Sequence, residues 1–122
     1  MYFPIEGWFA AFVLTLAVEV PVVVLLLRRA GMPPARAFAW AVFANLSTHP
    51  VVWFVIPQLL DVGTPGYTAV AETWAVLAEA TLYWLAVVDL GVRRSLLVAV
   101  VANAASWAAG HLVAAAIPSV FG

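Results

Sequence analysis

Glu19, Glu79, Asn45 and Asn103 each stand inside a long apolar stretch. A bilayer span needs roughly 20 apolar residues. Within one, an ionisable group costs about 2.5–3.5 kcal/mol on insertion scales. Such groups therefore face protein or a water-filled cavity. Two readings of Glu19 and Glu79 are open. They bind a proton or cation, or they are neutral carboxyls bonded to Asn45 or Asn103 as interhelical glue. Asparagine across helices is itself a packing device worth about 0.6–2 kcal/mol.

Depth and face bring these residues together. At about 1.5 Å rise per residue, Glu19 lies roughly 4–5 Å to one side of the middle of its stretch. Asn45 and Asn103 fall at the same level, and Glu79 is near the middle of its own stretch. A second, more external layer holds Thr48, His49, Glu72 and His111. Glu72 and Glu79 are seven apart and share a face, with Tyr83 four further on. Asn45 and His49 share another, as do Thr15 and Glu19. Asn103, Ser106 and Gly110 form a small polar stripe that lets helices approach closely. His49 could ligate a metal, relay protons or make a buried hydrogen bond.

Two prolines flank this cluster. Pro21 and Pro50 each free the carbonyl four residues back, on Ala17 and Leu46. Carbonyls, carboxylates and amides together are the oxygen donors that hard cations prefer.

The positioning elements follow from composition. The chain has 122 residues, 66% hydrophobic and 9% charged. Soluble domains carry about 25% charged residues, so lipid is the expected solvent. We expect an all-α membrane fold, a four-transmembrane-helix antiparallel bundle forming one domain. Its spans are 5–27, 37–59, 69–90 and 95–117. Residues 28–36, 61–67 and 91–94 are the expected breaks, and short turns make successive helices antiparallel. All five basic residues are arginines, and all fall in the first and third loops. The positive-inside rule then puts those loops in the cytoplasm and both termini outside. Met1–Trp8 reads as an interfacial lead-in and not as a signal peptide, because the first basic residue is Arg28. Trp8, Trp53, Tyr67 and Trp84 suit an aromatic belt, and the tryptophans are expected mostly at lipid or the interface.

Ala44-Asn45 with Ser47, and Ala102-Asn103 with Ser106, follow spans with a central glutamate. A tandem repeat of two-helix units is one reading. Chance likeness of alanine-rich helices is the other.

Several chemistries are excluded or weakened. Cysteine is absent, which removes thiolate metal sites and disulfides. A net charge of -1 gives no basis for nucleic-acid binding. No phosphate loop, HExxH or GxSxG occurs, and Ser47 and His49, two apart, point to different faces. Haem ligation by His49 and His111 is disfavoured by a height difference of roughly 7–8 Å.

The pattern Glu19-Val20-Pro21, Asn45-Leu46-Ser47-Thr48-His49-Pro50, Glu72 with Glu79, and Asn103-Ala104-Ala105-Ser106 resembles a group of small four-span bacterial membrane proteins. That resemblance covers all four spans. It implies the architecture, the cluster and a bacterial inner (cytoplasmic) membrane, and it carries over no activity. The leading expectation is ion- or proton-linked transport. Its site would be Glu19, Glu72, Glu79, Asn45, Asn103 and His49, in a homo-oligomer. The alternative is a non-catalytic accessory subunit or assembly factor of a larger membrane complex. An intramembrane enzyme or cofactor carrier comes third.

Overall fold

The computed structural model describes residues 5–121. The first four residues of the expected lead-in lie outside the described residues. Four long helices follow in order: α1 (Ile5–Arg29), α2 (Pro34–Pro50), α3 (Pro65–Ala86) and α4 (Gly91–Ala116). No strand occurs among the described residues. Three helical segments, Ile5–Arg29, Pro34–Gln58 and Gly91–Ala116, are long and apolar enough to cross a membrane. α3, which carries Glu72 and Glu79, is the exception.

Local chemistry sets the helix ends. α1 stops at Gly31, whose φ of 95° is open to glycine. There Met32 N–H donates to Leu27 O and Gly31 N–H to Arg28 O, both at 3.0 Å. This bond pair closes a helix C-terminus, with buried Met32 folded back toward Leu27. Pro34 then opens α2, where a missing N–H costs nothing. α3 begins at Pro65 because Thr64 caps it, its hydroxyl accepting from Tyr67 N at 3.2 Å.

The third helix is therefore displaced toward the N-terminus from the expected 69–90. The last turn is displaced with it. Asp89 (φ 65°) and Gly91 (φ 77°) break the chain, so 87–90 form the turn. Gly91–Arg94, expected to be the turn, open α4 instead. Two left-handed residues override the apolar run that suggested continuation.

Pro50 has a different consequence. Without its N–H the α2 ladder fails, and the chain continues as a π-helical turn (Val51–Val55) and a 3-10 turn (Ile56–Gln58). Such turns are a known way to absorb a break in the ladder.

Each helix packs on the next, and α1 closes the ring against α4. Side-chain pairs from Thr15–His49 to Glu19–Ser106 run antiparallel across the seams. Many buried positions are small, including Ala37, Ala41 and Ala44 of α2 and Ala99 and Ala102 of α4, beside larger ones such as Leu27 and Tyr83. Large residues such as Phe9, Leu25, Phe43, Leu85 and Leu112 point outward. Small inward residues bring backbones close where apolar burial alone does not drive association. All five arginines are exposed at one end of the ring.

The two halves differ. Toward the arginine end, Val23, Leu27, Ala37, Ala41, Val87, Leu90 and Val98 join Tyr83 in a tight apolar plug. Toward the other end the bundle is hollow. There the tail after α4 folds back until the Phe121 carbonyl sits on Gly7 of α1, where a Cβ would collide with it. Gly7→Ala should dislodge this tail and cost about 1–3 kcal/mol. With no native cysteine, maleimide labelling of Ala114→Cys in the cavity wall reports it. Labelling is expected to speed up in the Gly7→Ala background, and an unchanged rate would show that the tail does not cover the hollow.

Candidate functional site

The hollow is a cavity of about 510 Å³. Its rim includes exposed Val62, Gly63 and His111, at the end away from the arginines. Glu19, Asn45, Glu79 and Asn103 line its deep end. All four are buried. The apolar plug lies beyond them.

Helical spacing delivers these side chains. In α2 the inward positions are Ala37, Ala41, Ala44, Asn45 and Thr48. In α3 they are Ala71, Ala75, Glu79 and Tyr83. In α4 they are Ser95, Val98, Ala99, Ala102 and Asn103. The three- and four-residue steps trace one stripe per helix. Alanine neighbours leave room for the longer polar groups.

Glu79 has a donor group at each oxygen. Thr48 Oγ1–H donates to Glu79 Oε1 at 3.0 Å, and Asn103 Nδ2–H donates to Oε2 at 2.6 Å. Glu19 is half engaged. Ser106 Oγ–H donates to its Oε1, while Oε2 is buried without a partner. Asn45 stands beside the Glu19 carboxyl, but its Nδ2–H donates to Ala41 O at 2.9 Å. Asn103 makes the matching bond to Ala99 O, also at 2.9 Å.

The contacts are reciprocal between hairpins. Each glutamate meets the hydroxyl three residues past the asparagine of the other hairpin. Glu79 meets Thr48, and Glu19 meets Ser106. The serine expected to match Ser106, Ser47, is exposed and bonds Phe43 O at 2.9 Å. Thr48 takes that place. It was expected in the outer layer, but the reach of Glu79 draws it into the inner one.

Both hydroxyls also face a carbonyl of their own helix. Thr48 Oγ1 is 3.1 Å from Ala44 O, and Ser106 Oγ is 3.1 Å from Asn103 O. A hydroxyl has one proton to donate. Each hydroxyl therefore serves two acceptors with one proton, and each glutamate–hydroxyl pair is one proton short of complete bonding. A proton on the carboxyl would supply the missing bond.

Glu72 lies higher on the same wall, half-buried. His49 lines the cavity from α2. Its Nε2 lies 3.3 Å from Thr15 Oγ1, and its Nδ1 is buried without a partner. Phe12 and Trp53 flank the ring at centroid distances of 5.3 and 6.2 Å. His111 is at the mouth, its Nδ1 2.9 Å from Trp107 O. No group of three His, Asp or Glu able to hold a metal occurs among the described residues.

The prolines stand apart from the site. Neither Pro21 nor Pro50 lines the cavity. Ala17 and Leu46, whose carbonyls they free, are exposed residues on the outer face. The expectation that these carbonyls complete an oxygen shell is corrected on this point. Pro50 acts indirectly, since the π turn that it starts places Val52 and Trp53 in the wall.

Trp53, Tyr67 and Trp107 line the cavity, where the sequence suggested mostly lipid or interface. Tyr67 O–H also donates to Val52 O at 2.9 Å and braces the rim. Trp107 lies four past Asn103 and Trp53 four past His49, a helical spacing that could have flagged both.

The contacts of Glu79 predict an asymmetry. Glu79→Ala removes two cross-helix bonds, leaves one buried Asn103 N–H unpaired and opens a void, and should cost about 2–4 kcal/mol. Glu19→Gln keeps the shape and a carbonyl for Ser106, and should cost less than about 1 kcal/mol. Thermal unfolding of the detergent-solubilised variants measures the difference, and equal losses would contradict the unequal engagement.

Set against protein-family profiles, curated proteins and solved structures, the chain matches none.

Proposed function

We propose that the chain is a multi-pass membrane protein that binds a proton or cation at Glu19 and Glu79, as the loading step of ion- or proton-linked transport. The observation that carries this reading is the proton count. Two buried carboxyls each meet a hydroxyl that already faces a second acceptor. An arrived proton fits that pattern without any rearrangement. Glu72 and His49 extend titratable groups from the floor toward the mouth. Asn45 and Asn103 position the carboxyls.

On this reading all four helices span the inner membrane of a bacterium. α3, the least apolar, does so because its glutamates face inward. The exposed arginines mark the cytoplasmic end. Both termini and the cavity mouth face outward. The two hairpins act as a tandem repeat, each lending a hydroxyl to the other's glutamate. Release to the cytoplasm requires the plug to open. Tyr83, fully buried one turn from Glu79 with its hydroxyl unpartnered, is the polar group available inside it.

A second reading, an accessory subunit of a larger complex or a homo-oligomer, is favoured by the outer face of α3. A shallow groove there is lined by Thr73, Trp74, Leu77 and Thr81. Burial against another chain would shield this least apolar helix. Mass measurement in mild detergent separates a monomer from a homo-oligomer.

Transport is tested in liposomes carrying a pH dye. Wild-type protein should dissipate an imposed proton gradient, and Glu19→Gln with Glu79→Gln together should abolish this. Flux that survives the double substitution removes the carboxylates from the path. Tyr83→Phe should slow flux severalfold while leaving the folded yield unchanged. Undiminished flux would show that protons bypass the plug hydroxyl.

A further inference from the structure

The cavity is larger than a proton or bare metal ion requires. A volume of about 510 Å³ falls within the roughly 300–1,000 Å³ of small-molecule pockets. Its wall is mainly apolar and aromatic, with Trp53, Tyr67 and Trp107 above a floor of carboxylates. A hard divalent cation wants six or more oxygens at about 2.0–2.6 Å. Among the described residues no three His, Asp or Glu side chains gather as a metal site.

From this arrangement we infer that the site takes an organic ammonium ion. Its N–H⁺ would donate to Glu19 Oε2, and its apolar body would lie against Trp53 and Trp107. This inference rests on the proposed cation-binding role of Glu19 and names the ligand class.

Three observations converge. Glu19 is 1% exposed and lines the deep end of the cavity, and its Oε2 is a buried acceptor without a donor that a turn of the carboxyl would bring to a ligand. An ammonium group supplies that donor and a compensating charge together. Glu72 adds a second carboxylate partway up the wall, and no lysine or arginine lines the cavity to repel a cation. Indole rings attract cations. Those of Trp53 and Trp107 reach the cavity wall from the π turn behind α2 and from α4. Arrival of the ammonium would release to water any proton held on Glu19, so that the charge balances. That exchange is the coupling a proton-linked carrier of amines needs.

An ammonium can be a free amine or the headgroup of a lipid. Both are tested by tryptophan-fluorescence titration of the full chain in a maltoside detergent. The probes are phenethylammonium chloride, lysophosphatidylethanolamine, and phenethyl alcohol as a neutral control. Saturable binding of phenethylammonium, with at least tenfold weaker binding of the alcohol, is expected. Binding of the lysolipid instead, with the alcohol again weaker, assigns the same site to a headgroup. Glu19→Gln should weaken the binding probe about tenfold or more, and Trp107→Leu severalfold. Trp107 is half-exposed, so its substitution leaves the packing intact, and an unchanged melting temperature checks both variants.

The inference is overturned if neither ammonium binds, if the alcohol binds as tightly, or if Glu19→Gln binds as well as wild type. Proton flux in liposomes without ammonium binding would overturn the ligand class and leave the transport reading standing. Ammonium binding without flux would do the reverse.

Discussion

Two carboxyl groups are buried inside a ring of helices that is otherwise lined with alanine and valine, and the rest of the structure follows from satisfying them. An unpaired buried carboxyl is costly in a low-dielectric interior. Each glutamate must therefore meet donors, and the donors lie on neighbouring helices. Glu79 ties α3 to α2 through Thr48 and to α4 through Asn103. Glu19 ties α1 to α4 through Ser106. Apolar contacts between small residues permit many relative shifts of two helices. These directional bonds fix the register and close the ring.

The same constraint divides the bundle. On one side of the glutamates the buried residues are apolar except Tyr83 and Ser95. On the other side Thr15, Glu72, His49 and His111 add polar groups to a mainly apolar wall. The π turn after Pro50 contributes Val52 and Trp53 to the wall at that end. A hollow with a carboxylate floor and an apolar plug beneath it is closed at that end and is not a continuous pore. Any passage on the proposed transport reading must alternate between a loaded state and one with the plug displaced. The unpartnered Glu19 Oε2 and Tyr83 hydroxyl stand on either side of that boundary.

The two hairpins treat their glutamates unequally. Glu79 has two donors and Glu19 has one. A symmetric pair would hold two equivalent protons. Here one carboxyl is held at both oxygens and the other at one.

Much of this was legible in the residues alone. Composition and apolar run lengths set an all-helical chain with apolar exteriors, because those properties sum over many residues. Heights along the helices placed Glu19, Asn45, Glu79 and Asn103 in one layer, because the helical rise is constant. Spacing put Glu72 on the face of Glu79. The tertiary structure decided what depends on local φ angles and on contacts between distant residues. Asp89 and Gly91 moved the last turn forward. Thr48 displaced Ser47 as the partner of a glutamate, because only its face of α2 points inward. Pro21 and Pro50 lie off the site, since a proline's effect follows the face that it occupies and not its distance in sequence. The cavity itself, with Trp53 and Trp107 in its wall and the tail at Gly7, is lined from all four helices. No single segment encodes it.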